Sequence, residues 1–203
     1  MRASGNAPVP GCLVHKNHKE RLHYFLTKPF KKQRIMANVN MEYLSRAESG
    51  LFITILAYFL LNGAQLFETA VLVPKWTAAP PQSFQLFKAP YGADLKTFWI
   101  VAHSIHEVTF LLAIAFCWKI DPVRNGLLFL FALHAVLRVW TLLYFAPNII
   151  EFQAIANGKP FTMDLLSRTK QWRTLNYLRV GIFIAVSLGL IPLFTKLAAL
   201  KNG

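Results

Sequence analysis

Four stretches of the 203-residue chain stay apolar long enough to cross a membrane. A hydrocarbon core about 30 Å thick takes roughly 20 helical residues at about 1.5 Å each. The runs lie at about 49–73, 95–118, 123–146 and 175–195. Pro74 is expected to end the first and Pro147 the third, because proline cannot donate to the helical ladder. Asp121-Pro122 reads as a tight turn, with Asp121 the N-cap and Pro122 the first helical residue. Spans two and three are therefore expected as an antiparallel hairpin. The stretch 163–176 is helical in pattern but polar, so it either extends span four outward or lies along the interface. Pro192 should kink the last turn of span four. The predicted fold class is all-α: an integral-membrane antiparallel four-helix bundle over 41–203, preceded by a tail, 1–40. The long connections, 74–94 and 147–162, share one membrane face, here the loop face. The 119–122 turn and both termini share the other, the terminal face.

Composition agrees with a membrane address. Apolar residues make up 55% of the chain and charged residues only 15%, against about 25% charged in a soluble domain. Two cysteines, Cys12 and Cys117, exclude a disulfide scaffold or a CxxC module, and Cys117 reads as packing. Net charge is +13, and residues 1–40 hold eight bases and one acid. Such a run invites a nucleic-acid partner, but the rest of the chain is too apolar for a soluble binding domain. A flank on anionic lipid is the simpler account, so the bilayer is the expected partner and nucleic acid is not. The tail is expected to be disordered or weakly helical. No apolar run near the start marks a signal peptide, and Met36 and Met41 offer later starts. Lys and Arg divide 13 on the terminal face to 7 on the loop face. That asymmetry puts both termini in the cytoplasm, and it depends on the tail.

Candidate chemistry lies in the polar residues that interrupt the spans. Span one carries Asn62, Gln65, Glu68 and Thr69; span two His103, His106 and Glu107; span three His134, Arg138 and Thr141; span four Trp172, Asn176 and Arg179. Spacings of three, four and seven put each set on one helical face. Each set also falls in the half of its span nearer the loop face. An ionised side chain at the bilayer centre costs about 2.5–3.5 kcal/mol. Glu68, Glu107 and Arg138 are therefore expected to point inward and find partners: Arg138 with one of Glu68 and Glu107, Arg179 with the other.

Three readings of this cluster stay open. One is a buried network that fixes helix register. Another is a pocket for a small aromatic or lipophilic substrate, open toward the loop face, with His103, His106, Glu107 and Arg138 as acid–base or catalytic groups. Asn62, Gln65, Glu68, His134, Trp172, Asn176 and Arg179 would bind the substrate. The third is a metal or haem site on His103, His106 and Glu107, completed by His134 and Glu68, although HxxHE alone is a weak signal. No cofactor is named by the sequence, and no metal ligands are assigned. A homo-oligomer is left open. So is a non-enzymatic accessory or assembly subunit whose polar stripe meets partner helices. Trp99, Trp140 and Trp172 read as core or interface belt.

The polar end of span one (NGAQLFETAVLVPKW), the connection after it, and QWRTLNYLR opening span four carry a resemblance. Over about residues 50–193 the chain resembles the anthrone-oxygenase-like family of small four-helix membrane proteins. The resemblance implies that Trp172, Asn176 and Arg179 form that family's W…N..R pattern and that Glu68 stands in its first-helix position. It further implies a cofactor-independent oxygenase that converts an anthrone to an anthraquinone. His103, His106 and Glu107 lie outside the motifs that carry the resemblance.

Overall fold

The computed structural model describes residues 40–202 apart from 89, 91, 93 and 94. The tail expected over 1–40 lies outside the described residues except for Asn40. Four helices are long and apolar enough to span a membrane: α1 (Met41–Trp76), α2 (Leu95–Phe116), α3 (Asp121–Ala156) and α4 (Leu165–Lys201). No strand occurs among the described residues. The chain is an all-α, multi-pass membrane protein. A helix satisfies its own backbone groups in lipid, and the outward side chains are apolar along the spans: Phe52, Leu60, Ile105, Phe129, Val136 and Leu188 are all exposed.

α2 has 22 residues, about 33 Å, and so matches the hydrocarbon thickness. α1, α3 and α4 have 36 or 37 residues, about 54 Å, and project beyond it. The prolines do not stop them. α1 continues to Trp76 past Pro74, and α3 continues to Ala156 past Pro147. Both helices widen just before the proline. Val73 N–H bonds the Glu68 carbonyl, and Ala146 N–H bonds the Thr141 carbonyl, each five residues back. A proline ring clashes with the carbonyl four residues earlier and offers it no N–H. A wide π turn accommodates that ring without ending the helix.

The start of α3 differs from expectation, and that of α4 follows one of the two alternatives. α3 begins at Asp121 itself, capped by Ile120 without a side-chain bond. The Asp121 carboxylate instead meets Arg124 Nη1 at 3.1 Å. α4 absorbs the polar stretch from Leu165 and runs through Pro192 to Lys201.

α1 packs along α2 and α4, and α4 packs along α3, while α2 and α3 have the least extensive contact of the four side-by-side pairs. The expected hairpin is thus connected but splayed. Glycines sit where helices close up. A Cβ on Gly50 would come to 2.5 Å of Phe116 Cδ2, and one on Gly126 to 2.5 Å of a Leu193 methyl. The Thr54 hydroxyl, 2.8 Å from the Thr109 carbonyl, ties α1 to α2. At the terminal face, ion pairs Lys201–Glu48 and Arg46–Glu42 mark the water boundary. Cys117 is buried beside the turn there. Burial pushes its thiol up to about 12, so it stays protonated and packs as a small apolar group.

The loop face carries a second core. The connection after α1 forms a tight helical turn, Gln82–Phe87, that folds back on the helix ends. The Ser83 hydroxyl donates to the Trp76 carbonyl at 2.6 Å, which takes up one of the free carbonyls at the end of α1. Phe84 and Phe87 then pack with Trp76, Phe145, Phe152 and Trp172 in an aromatic cap. Trp76 and Trp172 meet edge to face at 4.9 Å between centroids.

Candidate functional site

Beneath the aromatic cap lies a cavity of about 300 Å³, walled by all four helices. Its size is at the lower end for drug-sized ligands. α1 contributes Gln65 and Glu68, α2 Trp99 and His103, α3 Arg138, Thr141 and Phe145, and α4 Trp172 and Arg179. Counting along α2 from Leu95, His103 sits about 12 Å below the loop-face end of the span and His106 about 16 Å, near mid-membrane.

The π turns present the groups that α4 binds. Asn176 Nδ2 donates to Thr69 Oγ1 at 3.1 Å, inside the wide turn of α1. Arg179 Nη2 donates to Asn176 Oδ1 at 2.6 Å, and its Nη1 donates to Thr141 Oγ1 at 3.2 Å, the first residue of the wide turn of α3. The guanidinium lies over the Phe145 ring, 4.1 Å from its centroid. Thr69, Asn176, Arg179 and Thr141 therefore make one chain across α1, α4 and α3. Glu68 of α1 and Trp99 of α2 line the same cavity, and Arg179 supplies a positive charge near the Glu68 carboxyl.

A second group sits deeper. Arg138 Nε donates to Glu107 Oε1 at 2.7 Å. His134 Nε2 lies 3.9 Å from the same oxygen, and its Nδ1 is 3.0 Å from the Tyr58 hydroxyl. The carboxylate beside Nε2 favours a proton on that nitrogen, which leaves Nδ1 to accept from Tyr58. His106 stands 4.2 Å edge-on from the Tyr58 ring and 4.9 Å from the His134 ring.

Arg138 thus pairs with Glu107, and Arg179 faces Glu68. Of the eleven candidate residues, Gln65, Glu68, His103, Arg138, Trp172 and Arg179 line the cavity. Asn176 stands behind the wall and holds Arg179. His106, Glu107 and His134 form the deeper group. Asn62 is apart from both, donating to Ser187 Oγ at 2.8 Å. The expectation that every intramembrane charge points inward fails for Glu107. Its side chain is 39% exposed at the outer seam of α2 and α3, because those two helices splay there. No group of three or more His, Cys, Asp or Glu suited to hold a metal occurs among the described residues.

Sequence reasoning missed Tyr58 and misread Trp99. Tyr58 is fully buried and lies four residues before Asn62 and seven before Gln65, so the stripe of α1 already pointed to it. Trp99 stands four residues before His103 on the same face of α2. A tyrosine or tryptophan in an apolar run reads as packing until a polar neighbour from another helix is known. The aromatic cap covers part of the cavity on the side of the loop face. Trp172 and Phe145 belong to both cap and cavity wall and are 2% and 1% exposed.

No family model, curated protein or solved structure matches the chain.

Proposed function

We propose that the protein binds a flat lipophilic molecule bearing a phenolic or enolic oxygen and, in line with the resemblance, oxygenates it without a cofactor. One observation carries the binding reading. Gln65 Oε1, His103 Nδ1 and Arg179 Nε are buried, have no hydrogen-bond partner among the described residues, and belong to side chains that line the cavity. Each such orphan costs about 1–3 kcal/mol. A ligand with hydroxyl and carbonyl groups would satisfy an acceptor, an imidazole nitrogen and a cationic donor together, while the apolar walls take its rings.

The reaction implied by the resemblance is CH₂ + O₂ → C=O + H₂O at one ring carbon. A base removes a proton from the CH₂ carbon. The carbanion adds O₂, the peroxide takes up the proton, and water leaves as the second C–H proton departs. Of His103, His106 and Glu107, the candidates for the base, His103 is the one on the cavity wall, which supports it for that proton. Arg179 and Arg138 bring positive charge to where enolate and peroxide oxygens develop.

Oxygen uptake by the full chain in vesicles with an anthrone tests the reading. One O₂ consumed per quinone formed is expected. His103→Ala should lose the rate and weaken binding only in part, whereas Arg179→Met should lose most of the binding. Binding without uptake above protein-free vesicles would remove the catalytic half.

A further inference from the structure

We infer that the cavity takes its ligand head-first and sideways, from the bilayer through the seam between α2 and α3, and leaves an alkyl or prenyl tail among the acyl chains. The substrate class is then a one-headed amphiphilic phenol, not a compact molecule wholly enclosed. This inference rests on the binding reading above.

Three walls of the cavity are shut and one is not. Above, the cap residues Trp172 and Phe145 are almost fully buried. Below, the 2.7 Å contact between Arg138 and Glu107 joins α3 to α2 and forms a floor. Inward, α1 packs along α2 and α4. At the seam, Ile100, Leu142 and Ile150 line the cavity and are 57%, 60% and 51% exposed at the outer surface. A side chain that both walls a cavity and faces outward marks its mouth. This mouth is lined by isoleucine and leucine and lies between the two side-by-side helices with the least mutual contact. Lys96, one residue into α2, also lines the cavity and stands exposed on the rim, at headgroup level.

The chemistry runs in one direction across this space. Among the residues that line the cavity, the unpartnered buried polar atoms belong to Gln65, His103 and Arg179, on α1, α2 and α4. The mouth carries isoleucine and leucine. An amphiphile entering tail-first would leave its oxygens facing acyl chains and the cavity orphans unmet, so the head goes in. About 300 Å³ holds a small ring head, and the open seam lets a longer tail remain in lipid.

The test reconstitutes the full chain in phosphatidylcholine vesicles with two photoreactive dodecylresorcinols. One carries a diazirine beside the ring, the other on the fourth tail carbon. The ring probe should label cavity residues around Gln65 and His103. The tail probe should label α2 and α3 around Ile100 and Leu142, about tenfold above the outer faces of α1 and α4, at Leu60 and Leu188. Unlabelled dodecylresorcinol should compete both signals. Leu142→Trp, which fills the mouth, should cut ring-probe labelling about tenfold, while Leu188→Trp should not. Tail labelling on Phe84 and Phe87, even labelling of all outer faces, or full ring labelling in Leu142→Trp would overturn the sideways route. Absence of any competable ring labelling in the cavity would instead remove the binding reading itself.

Discussion

Asn176 is the residue on which the upper polar network turns, and its replacement has a calculable cost. The side chain is 1% exposed, donates to Thr69 Oγ1 at 3.1 Å, and accepts from Arg179 Nη2 at 2.6 Å. Asn176→Leu keeps the approximate volume and removes both bonds. A neutral interhelical bond in a membrane averages about 0.6 kcal/mol and reaches about 1.7. A bond to a charged group contributes about 1.5–3 kcal/mol. The expected loss is therefore about 2–5 kcal/mol. Thr69→Val removes only the first bond and should cost about 0.6–1.7 kcal/mol. The double variant should be no less stable than Asn176→Leu, because Thr69 has already lost its partner. Reversible unfolding in mixed micelles titrated with dodecyl sulfate, followed by helical circular dichroism, measures all three. A loss below about 0.5 kcal/mol for Asn176→Leu, or strict additivity of the pair, would refute the network.

Phe84→Ala should cost about 3–5 kcal/mol, because Phe84 is fully buried in the aromatic cap; a loss under about 1 kcal/mol by the same unfolding assay would mean the connection does not pack as described. Two glycines in α1 should respond with opposite signs. Gly50→Ala meets the Phe116 ring at 2.5 Å and should destabilise by about 1–3 kcal/mol, whereas Gly63→Ala meets nothing within 4 Å and should be neutral or stabilising by up to about 1 kcal/mol. Equal effects would contradict the α1–α2 contact.

The spans could be read from the chain because lipid imposes one rule, a long apolar run with its polar atoms on one face. That rule also located Gln65, Glu68, His103, Arg138, Trp172 and Arg179, which share a cavity. Periodicity along one helix does not say which helix lies opposite. Asn62 and Gln65 share a stripe, yet one bonds Ser187 and the other lines the cavity. Glu107 is one residue from His106 and turns to the outer seam, because the α2–α3 gap arises from the packing of all four helices. The prolines misled for a different reason. Pro74 and Pro147 break the regular ladder, but a helix held by neighbours can shift its bonding by one residue and continue. The aromatic cap was invisible because Phe84 and Phe87 lie in a proline-bounded connection with no helical or strand period.

The two wide turns act as phase shifters. Each absorbs roughly one residue, which rotates everything beyond it by about 100° relative to an unbroken α-helix. Below the shift, α1 shows Thr54, Tyr58 and Gln65 to the bundle interior; above it, Val73 and Trp76 are aimed into the cap. The azimuth of the lower half can thus be set by the bundle interior, and that of the upper half by the aromatic cap, within a single continuous rod.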